Sequence, residues 1–149
     1  MFEFINVYIT PLDLKSCLVA ILCGFLIGVD RQVKGKPAGI RTSILVCLGA
    51  YTFVVIAGSF ENEASPSRVI GQVVSGIGFL GAGLILAKDG LIHGVTSAAI
   101  IWLLAGIGCL IGIGKSESAL FLTLLALFIL VGINLLEKVF EKLKQGFHK

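Results

Sequence analysis

The sequence predicts an all-α protein, a polytopic transmembrane helix bundle of about five helices with the N-terminus outside and the C-terminus cytoplasmic. Composition points there first. Of 149 residues, 56% are hydrophobic and 14% charged, with a mean hydropathy of +1.01. Soluble domains carry about a quarter charged residues. The charges that remain fall in short clusters, and the apolar runs between them match the roughly 20 residues needed to cross a hydrocarbon core about 30 Å thick. Basic residues supply the third observation. With five crossings, Arg31, Lys34, Lys36 and Arg41 of the first loop share a side with Lys88 and the tail lysines Lys138, Lys142, Lys144 and Lys149. Only Lys15, Arg68 and Lys115 lie opposite. That bias places the first loop and the C-terminus in the cytoplasm, and an even number of helices would split the two basic clusters.

The elements follow in order within a single transmembrane domain, 1–149. Thr10-Pro11-Leu12-Asp13 announces a helix over about 11–29, with Thr10 as cap, Pro11 at the first helical position and Asp13 at the positive end of the dipole. Its apolar run ends at Asp30 and Arg31. A second helix covers about 38–60, before the polar turn Glu61–Ser65. Ser65-Pro66 repeats the cap-then-proline signature and opens a third, about 66–87. Lys88-Asp89-Gly90 is a turn, and the fourth runs over about 95–113. Gly114–Ser118 breaks the chain again, and the fifth spans about 117–145. From about 137 this last helix becomes an amphipathic cytoplasmic tail. Its apolar members (Leu136, Val139, Phe140, Leu143 and Phe147) share one face, and its lysines suit an anionic leaflet.

Several other readings fail. No run alternates polar and apolar residues, which argues against a β-barrel. Cys17, Cys23, Cys47 and Cys109 all sit inside apolar runs without a Cys-x-x-Cys pair, as small buried hydrophobes do. The N-terminus lacks a basic start and cleavage site, so the first helix is expected to insert and stay. Gly76-Ile77-Gly78-Phe79-Leu80-Gly81 matches a dinucleotide-binding pattern, but that motif needs a strand and an open turn before it, not an apolar helix. The basic residues flank membrane spans, so nucleic acid is not an expected partner. No Ser/His/Asp set, carboxylate pair or metal cluster supports an enzyme, and no cofactor is expected.

Lipid-immersed helices associate through close packing and polar contacts rather than a hydrophobic drive. Gly24 and Gly28 on the first helix, Gly71, Ser75, Gly78 and Ala82 on the third, and Gly108 and Gly112 on the fourth form rows suited to it. Charged groups in a bilayer cost roughly 2.5–3.5 kcal/mol on insertion scales and invite a functional reading. Asp30, Arg31, Arg41 and Thr42 form a candidate polar cluster, because antiparallel neighbours joined by a short loop bring them to one depth. An Asp30–Arg41 ion pair would fix that hairpin, or the group would form a vestibule for a cation or a phosphate-bearing partner. On the opposite side Arg68 and Gln72 are a pair one turn apart, with Arg68 snorkelling and Gln72 bonding a neighbouring helix. Asn134 is expected to bridge helices, and Trp102 to pack rather than anchor.

Gly24-Phe-Leu-Ile-Gly28-Val-Asp30-Arg31, Gly35-Lys36-Pro37-Ala38-Gly39-Ile40-Arg41-Thr42, Gln72–Gly83 and Gly94-Val95-Thr96-Ser97-Ala98-Ala99 with Trp102 together resemble the MgtC/SapB membrane protein family, over about residues 14–114. The resemblance implies a multi-pass protein of the bacterial cytoplasmic (inner) membrane, linked to growth in low magnesium, intracellular survival and virulence. It also marks Asp30, Arg31, Gly39, Arg41, Thr42, Arg68, Gln72, Gly78 and Thr96 as the motif positions to carry over. Many members carry Glu where Asp30 stands. Longer, virulence-type members add a soluble C-terminal domain, and this sequence stops soon after its fifth helix. Two functions are in play: a regulator or adaptor acting through helix–helix contacts with another membrane protein, or a transporter or channel for magnesium or another cation, assembled as a homo-oligomer. The resemblance implies magnesium as the first ion to expect, transported or sensed, with other cations left open. The lipid bilayer is the one partner common to both.

Overall fold

A computed structural model describes residues 9–60, 66–88 and 91–146. Five helices, each long and apolar enough to cross a membrane, make up almost all of it: α1 (Leu14–Val33), α2 (Ile40–Gly58), α3 (Pro66–Leu84), α4 (Val95–Gly112) and α5 (Ser116–Gly146). Between α3 and α4 lie two short antiparallel strands, β1 (Leu86–Lys88) and β2 (Leu91–His93), paired Leu86↔His93, Ala87↔Ile92 and Lys88↔Leu91. The chain is a multi-pass membrane protein.

The first helix starts and ends later than its apolar run suggests. Its cap is Asp13, not Thr10. The Asp13 carboxylate accepts from the Ser16 backbone N–H at 2.8 Å and from Ser16 Oγ at 2.9 Å, satisfying an orphan donor of the first turn. At the other end Gly35 adopts φ +60°, the Lys36 N–H reaches Arg31 O at 2.9 Å, and the Gly35 N–H reaches Gln32 O at 3.1 Å. This glycine-terminated hydrogen-bond pair carries α1 through Asp30 and Arg31 instead of stopping before them. Gly114 ends α4 the same way, with Lys115 N–H on Leu110 O at 2.8 Å. Gln32 then serves α2, its Oε1 accepting from the Ile40 N–H at 3.2 Å.

The strands were not anticipated. Asp89-Gly90 between apolar residues is a hairpin signal, although a turn alone satisfies it. The return into α4 passes through Gly94 at φ +89°, where an added Cβ would stand 1.9 Å from Leu84 O. No side chain fits there.

The core lies where α1, α2, α4 and α5 meet, around Cys23, Ile27, Tyr51, Leu104, Ile107 and Ala126. Three of the four cysteines (Cys23, Cys47 and Cys109) are buried, Cys17 is half-buried, and all four are free thiols. Backbones approach closely at four glycines. An added Cβ would lie 2.6 Å from Ile44 Cα at Gly24, 2.6 Å from Ile40 Cα at Gly28, 2.2 Å from Cys47 O at Gly108, and 2.6 Å from Val54 Cβ at Gly112. Thus α2 is clasped between glycine faces of α1 and α4. Tyr51 of α2, 1% exposed, completes the join by accepting from the Asp13 N–H at 2.9 Å.

The third row behaves otherwise. Gly71, Ser75, Gly78 and Ala82 all face outward, and nothing stands within 4 Å of a Cβ built at Gly71 or Gly78. Instead, α3 packs through Ile70, Val73 and Ile77 against Ala50, Val54, Ala105 and Cys109, and through Gly81 against Ala98. A small-residue row marks a surface fit for close approach without saying which helix approaches it. Trp102, 55% exposed, likewise points out of the bundle rather than into its packing. α5 continues without a break through residue 137. Its 31 residues span about 46 Å at 1.5 Å each, well beyond the hydrocarbon thickness. The apolar face proposed for the tail beyond Leu136 lies outside the described side chains.

Gly24→Ala and Gly108→Ala each drive a methyl into neighbouring backbone, and each should cost about 1–3 kcal/mol. Gly106→Ala, with nothing within 4 Å, should be close to neutral. Thermal unfolding in detergent, followed by loss of the monodisperse peak, separates the two classes.

Candidate functional site

At the first-loop end of the bundle, the last turns of α1 carry Asp30, Arg31 and Lys34 into protein. Lys34 Nζ stands 2.6 Å from Asp30 Oδ1, an i,i+4 ion pair whose carboxylate side chain is 10% exposed. The same ammonium reaches 3.2 Å across to Leu130 O in the middle of α5. That carbonyl also accepts from Asn134 Nδ2, one turn along its own helix. Asn134 therefore does not itself bridge helices, and Lys34 makes the crossing.

Arg31 is 3% exposed and donates through Nη2 to Ser97 Oγ at 2.6 Å, tying the end of α1 to the third residue of α4. Two cations in the closing turns of α1 sit well against its dipole, but a guanidinium at the start of α4 faces a positive helix end. Asp30 is the acid available to offset it. Two atoms of the cluster, Asp30 Oδ2 and Arg31 Nε, are buried without a hydrogen-bond partner among the described residues. Buried polar atoms left unpaired are expensive, so this is the least satisfied part of the described structure.

Arg41 does not join the cluster. It is exposed at the first turn of α2, and Asp30 takes Lys34 as its partner instead. The reason is distance along a helix: a residue four positions on lies directly over Asp30, and the extension of α1 to Val33 brings Lys34 into that place. Thr42, also exposed, lines an apolar groove of about 600 Å³ between α2 and α3. Gln72 lies on the opposite wall of that groove, while Arg68 and Thr96 are exposed. Lys34, Ser97 and the Leu130 carbonyl are the members that residue-by-residue reading overlooked. Lys34 was detectable as the i+4 partner of Asp30, whereas nothing local marked Ser97. Among the described residues no three of His, Cys, Asp and Glu come together to hold a metal ion.

Comparison with known proteins adds the lineage. The MgtC family model matches residues 17–139. The chain belongs to the MgtC family. It is 41% identical over 127 residues to Protein MgtC of Brucella abortus (85% of this chain, 53% of that protein). It is 43% identical over 112 residues to Protein MgtC of Salmonella typhimurium (75% and 48%). The chain thus spans about half the length of the curated relatives it matches. No solved structure matches it. The match to the MgtC family takes in α1 from Cys17 onward, all of α2 to α4 and most of α5, so the polar cluster lies wholly inside it.

Ser97→Ala removes a hydrogen bond to a buried cation and should cost about 1.5–3 kcal/mol, where Arg41→Ala should cost little. Thermal unfolding in detergent compares them. An Asp30→Lys, Lys34→Asp exchange should recover part of the stability lost in either single variant. An Asp30→Arg, Arg41→Asp exchange should recover none, and recovery by it would put Arg41 back in the cluster.

Proposed function

We propose that this MgtC-family protein is a regulator or adaptor in the bacterial cytoplasmic membrane, serving magnesium homeostasis and stress adaptation through helix–helix contacts, with its N-terminus outside. The link to magnesium rests on the family and on relatives that carry the name MgtC. The observation that carries the contact reading is the outward face of α3. Only 6% of that span is buried, and its mean hydropathy of 1.2 is the lowest of the five. It turns outward Gln72, Ser75, Gly71, Gly78 and Ala82, which gain little against lipid tails and much against another helix. We read no enzymatic role.

A second reading, transport of magnesium or another cation, draws on the buried carboxylate oxygen Asp30 Oδ2, which has no hydrogen-bond partner among the described residues. Five helices in one chain can barely enclose a pore alone, so this reading requires assembly.

Magnesium entry into proteoliposomes, read by a trapped dye, separates the two. Under the adaptor reading the folded protein gives no flux above empty vesicles. A Gly71→Leu, Ser75→Leu variant should then lose support of growth in low magnesium at unchanged protein level. Protein-dependent flux abolished by Asp30→Asn would overturn the adaptor reading in favour of transport.

A further inference from the structure

The groove between α2 and α3 and the residue beside it are complementary to each other rather than to lipid. At 100° per residue, Gln72, Gly76, Phe79 and Gly83 fall in a sector of α3 only about 60° wide. Phe79 stands at one edge of that sector, 83% exposed. Gly76 stands at the other edge, on the wall of the 600 Å³ groove, with nothing within 4 Å of a Cβ built on it. Opposite, α2 contributes Leu45 and Gly49, and Gly49 is equally open. One surface therefore carries both a large knob and the hollow for it.

We propose that this surface binds a second copy of the chain, with two α3 helices meeting in parallel about a two-fold axis along the membrane normal. The proposal rests on the reading of α3 as a contact helix and gives the sector beside its small-residue row to a second copy. A two-fold contact brings the same patch together from both sides, so the patch must complement itself. With the axis through the middle of the sector, the side on which Phe79 stands faces the partner's side bearing Gly76 and the groove. Depth agrees as well. Phe79 lies five residues before the C-terminal end of α3 and Leu45 five after the N-terminal start of the antiparallel α2, each about 7–8 Å in, and a two-fold along the normal keeps every residue at its own depth. The phenyl ring thus enters at the level of Leu45 and below Gly76.

Gln72 supplies the polar match. It lies near the middle of the sector, about one turn before the middle of the helix, and its side chain makes no hydrogen bond to a described residue. A carboxamide both donates and accepts, so two of them facing across the axis satisfy each other. A heterologous partner or an acyl chain would have to bring its own answer to that group. Arg68 falls off the axis, which places the two guanidinium groups on opposite sides of the pair.

The test uses the full chain in native membranes and in lipid nanodiscs. Gly83→Cys, close to the axis, should give an oxidised homodimer on a non-reducing gel. Leu18→Cys on α1 and the native chain, whose cysteines are buried or, at Cys17 on α1, half-buried, should not. Single-molecule photobleaching should show mainly two steps for the native chain, shifting at least tenfold toward one step in Phe79→Ala and Gly76→Leu. Phe121→Ala on α5, 69% exposed and away from α3, should leave the steps unchanged. A Gly83→Cys adduct with a different membrane protein, and no homodimer, would overturn the second copy while leaving the contact face standing. Single steps throughout with no adduct of either kind would overturn the second copy, and the contact reading would then stand or fall on the Gly71→Leu, Ser75→Leu variant.

Discussion

Everything else in this bundle depends on how closely α2 can be approached. With lipid outside and apolar side chains within, burial alone distinguishes the packed from the unpacked state only weakly, so contact distance has to do so. Gly24 and Gly28 bring α1 onto the backbone of α2 at Ile40 and Ile44, and Gly108 and Gly112 bring α4 onto its far side at Cys47 and Val54. Each contact would be blocked by a single methyl group. Once α2 is clasped, Tyr51 reaches the start of α1 and the ends of α1 and α4 come together, which is what buries Arg31.

That burial gives the first-loop end its character. Charged side chains usually leave a bundle for the interface, yet here Asp30 and Arg31 are held in protein by three helices. Lys34 and Ser97 answer most of the polar demand, and one carboxylate oxygen and one guanidinium nitrogen stay unanswered. Such a cluster costs stability unless it is fully satisfied. Its place in an otherwise apolar fold makes it the least satisfied polar group among the described residues.

The α3 helix is the exception to this close packing. It touches α4 and α2 along one narrow side and leaves most of its circumference, glycines and glutamine included, outside the chain. A helix so composed is poorly matched to lipid and well matched to another helix. The two unusual regions of the protein therefore lie apart: a tight, charged, inward cluster on α1, α4 and α5, and an open, small-residue surface on α3.

How many helices there are and what class of protein they make were legible in the sequence, because hydrophobic run length and glycine or proline punctuation are local properties. So was the MgtC-type pattern, and so were the glycines of α1 and α4. The partners of those residues were not. Asp30 had Arg41 and Lys34 both within reach of a plausible turn, and the choice fell to Lys34 only because a glycine cap carries α1 one turn further. Ser97 comes 66 residues after Arg31, and no local pattern announces that the two meet. The row on α3 read the same as those on α1 and α4, and only the assembled bundle shows that it faces outward. Periodicity along one helix fixes which residues share a side. Which neighbour that side meets is set by the packing of all five.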